Sequence, residues 1–239
     1  MSIITVVRHA QASFLEEDYD TLSPLGETQA SALGDYWARS RLRLDHVFSG
    51  PRKRHVRTAQ IVGSAYNRAG LPWPEPAILP EFDEYKADEV IRRYLPSLAE
   101  KHAHVRMLNH KLVHAKGTPR AAEAAESLFR AVTTMWVRQE FDCGEVESWD
   151  RFCWRVKGAF GQVNTHGTKR TKVVVFSSAG PTAVAMQAAL NLVPLKTLEL
   201  SWLVRKCACS EFLASGKQMS LRSFNAVPYF LDPALVTYR

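Results

Sequence analysis

Ile3-Ile4-Thr5-Val6-Val7-Arg8-His9-Ala10 is an apolar run that stops on a cation and an imidazole. Such a run has the form of a buried strand, and its end sets Arg8 and His9 at the carboxyl edge of a sheet. Ligands of open α/β sheets bind at that edge. An imidazole beside a guanidinium can attack phosphorus while the guanidinium holds the phosphate oxygens. These eight residues therefore point to an α/β fold and to phosphoryl chemistry together.

Outward from this strand, apolar and helical segments alternate. After a loop through Tyr19, Ser23-Pro24 offers an N-cap and a proline suited to the first helical turn. Leu25, Ala32, Leu33 and Trp37 then predict a helix from 24 to about 40. Val47–Ser49 reads as a second strand, 53–68 as a helix and Ala77–Leu79 as a short strand. From Asp88 to Gln139 the pattern is helical and strongly charged, with a break near Gly117-Thr118-Pro119. A helix over 147–164 follows, and Lys172–Phe176 has the form of a central parallel strand. The loop 177–180 leads into a helix from Pro181, and the runs at 197–205, 208–214 and 218–224 read as antiparallel edge strands. The expected architecture is α/β: a three-layer α/β/α sandwich around a mostly parallel sheet. One domain spans 1–239, with a helical insertion at about 86–145 that shapes specificity.

Composition narrows the class. Hydrophobic residues make up 46% and charged residues 23% of 239, as in an ordinary globular protein, and no apolar run approaches membrane-spanning length. With no secretory signal pattern at the start, the expected compartment is cytoplasmic. Cys143, Cys153, Cys207 and Cys209 form no CxxC pair and read as reduced thiols. The net charge of +7 suits anionic ligands, and 101–120 carries five cations and four histidines with no acidic residue. A solvated helix face accounts for that segment more simply than a rim over an anionic site. His110 and His114 share a helix face but lack the glutamate of a zinc-protease motif, so no metal site is expected. Nucleic-acid binding has only the charge in its favour, without stacking aromatics or a helix-turn-helix pattern.

Three further loops converge on the same sheet edge. Ser49 through Ala59 sets Arg54 on the first turn of a helix, and Leu79-Pro80-Glu81-Phe82-Asp83-Glu84 offers carboxylates. Ser177-Ser178-Ala179-Gly180 opens a helix whose first amides favour an anion. In this order, Arg8-His9-Ala10, Ser49 to Arg54 with Thr58-Ala59, Leu79-Pro80-Glu81 and Val173–Gly180 resemble the motifs of the histidine phosphatase superfamily, also called phosphoglycerate mutase-like. Gln11–Phe14 and Tyr19–Gly26 are similar to a bacterial subgroup of that family.

The resemblance implies that His9 is a nucleophile forming a phosphohistidine, and that Arg8 and Arg54 clamp the phosphate. It further implies that Glu81 is the acid/base group, with Glu84 as its rival, and that Ser178 and Ala179 lie in the phosphate site. No metal or other cofactor is implied. Two departures stand out. Ala10 replaces a glycine, and Ser178 replaces a second histidine, for which His55 and His166 are the candidates that folding could bring near. Ser178 reads equally as a catalytic donor and as a helix cap. The expected activity is metal-independent hydrolysis of phosphate monoesters, weakened by Ser178. The alternative is a pseudophosphatase that binds phosphorylated ligands or a protein partner without turnover. Expected partners are a phosphorylated small molecule or phosphoprotein and a second copy in a homodimer, with neither membrane nor nucleic acid.

Overall fold

The computed structural model describes residues 1–13, 20–165, 171–216 and 218–238. Among them, β1 (Ser2–Arg8), β2 (His46–Ser49), β3 (Ala77–Ile78), β4 (Lys172–Ser177), β5 (Cys209–Ser215) and β6 (Gln218–Ala226) form one sheet in the order β3-β2-β4-β1-β5-β6. The first four in that order run parallel, and β5 and β6 add antiparallel strands. The most apolar runs take the middle: Ile4, Val6, Val7 and Val173 through Phe176 are fully buried, as a strand covered on both faces requires. By Cα packing the chain divides into two compact units, 1–84 with 153–239, and 85–152.

In the first unit, α1 (Pro24–Arg39) and α2 (Lys53–Arg68) pack on each other and on one face of the sheet. Leu33 and Trp37 of α1 and Val62 and Tyr66 of α2 join Val7, Val174 and Phe176 in one apolar cluster. Burying each large side chain there contributes about 1.5–3 kcal/mol. The hydroxyl of Ser23 caps α1 by accepting from Gly26 N, with Pro24 in the first turn. Gly26 is required where it stands, because a Cβ would drive into the carbonyl oxygen of Gln11 in the loop after β1. Side chains alternate along β4, so Ser177 points to the face opposite Phe176. There its hydroxyl donates to Phe82 O at 2.7 Å, and Phe82 packs edge-on against Phe160 of α6 (Trp149–Thr165). α7 (Ala179–Leu190) lies on β1 and β6, and α8 (Pro194–Ser201) lies on α7. Helices therefore cover both faces, in agreement with the α/β expectation.

The second unit consists mainly of α3 (Ala87–Lys101), α4 (Ala103–Ala115) and α5 (Ala121–Val137), each packed on the other two. Within it Tyr85, Trp136, Trp149 and Phe152 pack against one another in tilted and edge-on pairs. Gly117, at φ +76°, makes the turn between α4 and α5 that the Gly-Thr-Pro segment predicts.

Three expectations are corrected. The helical run breaks again at His102, whose extended backbone ends α3 and begins α4. The segment 197–205 opens in a helix instead of forming a strand. Pro194 sits in the first turn of α8, and the buried residues Thr197, Leu198 and Ser201 follow a helical spacing that the alternation of Leu198, Leu200 and Trp202 disguises. α7 starts at Ala179, two residues before Pro181, because the first helical turn needs no amide donor at Pro181.

Candidate phosphate-handling site

His9 lies one residue beyond β1 and is 4% exposed. Its backbone N–H donates to Ser177 O at 2.7 Å, which locks the ends of the two central strands together. Its Nδ1 lies 2.7 Å from Ala10 O, an acceptor only, so the ring proton belongs on Nδ1. Nε2 then carries a lone pair, and it accepts from Arg54 Nε at 3.2 Å. Burial holds the imidazole well below its usual pKa, and the charges of Lys206, Arg54, His55 and Arg8 push it the same way. The ring is thus neutral and held in one orientation. Ala10 is fully buried and its φ is not positive, so its methyl in place of glycine costs no backbone strain.

Thr58 ties this loop to α2. Its hydroxyl accepts from Ala10 N at 3.1 Å and donates to Arg54 O at 2.7 Å, which explains a threonine four residues after Arg54. Arg54 itself is buried, and its Nη1 donates to Asp20 Oδ1 at 2.8 Å. The other oxygen of Asp20 accepts from Lys53 N, at the start of α2, at 2.9 Å.

His55, fully buried, follows Arg54, and its ring centroid lies 5.5 Å from that of His9. Its Nε2 lies 2.6 Å from Ser178 Oγ. Ser178 is the N-cap residue of α7, yet its side chain makes no capping bond, so the capping reading fails. Burial, then the Arg54 guanidinium, hold His55 well below its usual pKa, with Asp83 opposing and Arg52 and Lys206 adding to the depression. Of the two candidates for the absent imidazole, His55 is brought here, and His166 lies outside the described residues.

Glu81 and Glu84 part company. The Glu81 carboxylate makes no hydrogen bond or ion pair among the described residues, and only its backbone oxygen is held, by Arg155. Both oxygens of Glu84 accept from Gly180 N, at 3.1 and 3.2 Å, which puts this carboxylate at the start of α7 beside Ser178 and Ala179. Asp83 between them pairs with Arg52. Of the two carboxylates, Glu84 is the one hydrogen-bonded at the start of α7.

Arg8 also serves the fold. Its Nη1 donates to the backbone oxygens of Val204 and, at 2.8 Å, Tyr238, so part of the guanidinium fastens the C-terminal segment. That segment brings Lys206, 4% exposed, to the site: Cys207 N donates to His9 O at 3.2 Å, and Cys207 turns the chain at φ +59°. Sequence reading misses Lys206 and Asp20. Lys206 lies in no motif, and Asp20, though inside the Tyr19–Gly26 stretch, is not singled out there as a site residue. His110 and His114 do stack, with centroids 3.9 Å apart. Among the described residues no group of three or more His, Cys, Asp or Glu could hold a metal ion, and no helix is long and apolar enough to cross a membrane.

Residues 4–108 match the model of the histidine phosphatase superfamily (branch 1), and no curated protein matches the sequence. Solved structures share the fold at low identity. Phosphoglycerate mutase from Bacillus anthracis is 15% identical with a TM-score of 0.60, over 95% of this chain and 94% of that one. Phosphoserine phosphatase from Entamoeba histolytica, in complex with 3-phosphoglyceric acid, is 15% identical with a TM-score of 0.61, over 97% and 100%. Mycobacterial glucosyl-3-phosphoglycerate phosphatase is 16% identical with a TM-score of 0.59, over 94% and 98%. The sheet and helices described above are those of the phosphoglycerate mutase fold.

Proposed function

We propose that this chain is a member of the histidine phosphatase superfamily and hydrolyses phosphate monoesters of small molecules through a phosphohistidine on His9. The observation that carries the reading is the state of the His9 ring. Its Nδ1 proton is committed to Ala10 O, and the Nε2 lone pair faces the Arg54 guanidinium. Nε2 attacks phosphorus as the ester P–O bond breaks, and the leaving oxygen takes a proton from the Glu84 carboxyl. Water then attacks the phosphohistidine and gives its proton to the Glu84 carboxylate as the P–N bond breaks, which returns the lone pair to Nε2 and releases inorganic phosphate. Arg54 and the charges of Arg8 and Lys206 offset the negative charge on the transferring group. Glu84 takes the acid/base role in place of Glu81 because its carboxylate stands at the start of α7.

The test is hydrolysis of an aryl phosphate over pH 4–8 without added metal, in wild type and His9→Ala. Turnover that vanishes in the variant is the expected result; equal turnover in both overturns the reading. A second reading, phosphate binding without turnover, is favoured by the serine at 178. It predicts vanadate binding by a protein that hydrolyses nothing.

A further inference from the structure

We propose that His55 and Ser178 act as one unit, in which the Ser178 hydroxyl donates to the transferring phosphoryl group and His55 is the positioning residue that aims it. The inference rests on the reading of His9 as the phosphate-handling nucleophile. It begins with a serine that ignores its usual task. An N-cap hydroxyl ordinarily accepts from the second or third amide of its helix. Here that bond is not made, Gly180 N goes to Glu84, and Ser178 Oγ sits 2.6 Å from His55 Nε2 with both residues fully buried.

The neutral His55 ring carries one proton, and only one tautomer leaves the serine useful. With the proton on Nδ1, Ser178 must spend its own hydrogen on Nε2. With the proton on Nε2, the ring donates to Oγ, and the Ser178 hydrogen is left for a phosphoryl oxygen. Nδ1 has no hydrogen-bond partner among the described residues, so the second tautomer leaves a lone pair unmatched instead of burying an orphan N–H. Two donors in series polarise each other, which strengthens the outer one.

The packing is matched to this arrangement. A Cβ on Gly50 would press into His55 Nδ1 and lie 2.7 Å from Phe82 O, so the absent side chain at 50 makes the room that the imidazole fills. The imidazole thus enters the site from α2, and the residue at α7 has become small. An imidazole introduced at 178 alone would meet His55 in a fully buried space. Ser178→His is expected to lower activity unless His55 is reduced in the same chain.

The test uses the full chain, with aryl phosphate turnover and vanadate affinity measured side by side. The variants are Ser178→Ala, His55→Phe, their double, His55→Gln, Ser178→His and the exchange His55→Ser with Ser178→His. Removing one aimed donor lowers kcat by about 10²-fold. Ser178→Ala and His55→Phe are each expected to approach that loss, and the double to lose no more than Ser178→Ala. His55→Gln, whose amide N–H can stand where Nε2–H does, is expected to exceed His55→Phe by about tenfold, a rescue that a purely space-filling role would not give. The exchange is expected to exceed Ser178→His. Additive losses in the double, or His55→Gln no better than His55→Phe, overturn the inference. Turnover that needs His9 but is indifferent to Ser178→Ala and His55→Phe overturns it alone and leaves the phosphatase reading standing. If wild type binds vanadate without turnover, the same pattern in vanadate affinity decides. Neither turnover nor vanadate binding overturns both.

Discussion

Lowering the pH from 7.5 to 5.5 is expected to destabilise this fold through His9 and His55 in particular. Both are buried and held well below the ordinary pKa of 6.5. Between 6.5 and the lowered folded values the unfolded chain binds more protons than the folded one, so stability rises with pH in that window. It is fully present above about pH 7, is lost as pH falls below 6.5, and levels off once the folded rings protonate. For a ring that stays neutral when folded, the cost at pH 5.5 relative to 7.5 is about 1.4 kcal/mol, or about 2.7 kcal/mol for the two. In a chain of this size that corresponds to a Tm lower by about 5–11 °C. Urea unfolding at both pH values, in wild type and in His9→Asn with His55→Gln, isolates the two rings from the carboxylates. The double variant should be flatter with pH by about that amount, whatever its absolute stability. An equal pH dependence in both chains would refute the reasoning, because the two rings would then be titrating alike in the folded and unfolded states.

Three other perturbations separate the parts of the site. Glu84→Gln is expected to lower hydrolysis of an alkyl phosphate by about 10²-fold or more while changing an activated aryl phosphate much less, because only the poor leaving group needs the proton; Glu81→Gln should leave the ratio of the two rates alone. Asp20→Asn removes the carboxylate that accepts from Arg54 Nη1 and Lys53 N, and titration should show vanadate binding tightened by about threefold to tenfold, since charge-assisted bonds to Asp20 no longer compete. Gly50→Ala forces a methyl against His55 and the Phe82 backbone; urea unfolding should show a loss of about 1–3 kcal/mol, with a larger proportional loss in kcat than in overall fold content.

Much of this architecture is legible in the sequence because its strands are short, apolar and bounded by helix starts. Ile3–Arg8 and Lys172–Phe176 announce the two central strands, and Ser23-Pro24 and Arg54 with Thr58 announce the helices that meet them. Local pattern fails where two periodicities coincide, as in α8, where Leu198, Leu200 and Trp202 alternate within a helix. The site is legible only where it is built from strand ends and helix starts. His9, Arg54, Ser178 and the pairing candidate His55 are of that kind. The direction of a side chain is not: Arg8 reaches the backbone of Val204 and Tyr238, and Glu84, not Glu81, accepts from Gly180 N. Lys206 arrives from a segment with no spacing signal and Asp20 from a recognisable stretch that does not mark it out, and their nearness to His9 and Arg54 is a product of tertiary structure.

A pocket for a phosphoryl group must offset negative charge without protonating its own nucleophile, and the groups around His9 meet both demands at once. After burial itself, the charges of Lys206 and Arg54 do most to keep the ring neutral. A cation beside an imidazole disfavours the imidazolium by the same Coulomb interaction that favours a phosphate there. An imidazolium at position 178 would add charge, but one that titrates in the physiological range; a guanidinium does not. Replacing it with a hydroxyl aimed by a neutral His55 therefore exchanges a titrating charge for a fixed donor, and leaves the charge with Arg8, Arg54 and Lys206. Asp20 and Glu84 balance those cations by taking the donors at the starts of α2 and α7 that an anion would use. Their roles then diverge. On the proposed mechanism Asp20 only competes with the anion, so its loss favours binding, whereas Glu84 also supplies the proton, so its loss shows in turnover. If both neutralising variants shifted affinity alike and neither changed the dependence on leaving group, the two carboxylates would be acting only as counter-charges, and the assignment of Glu84 as the acid would fall.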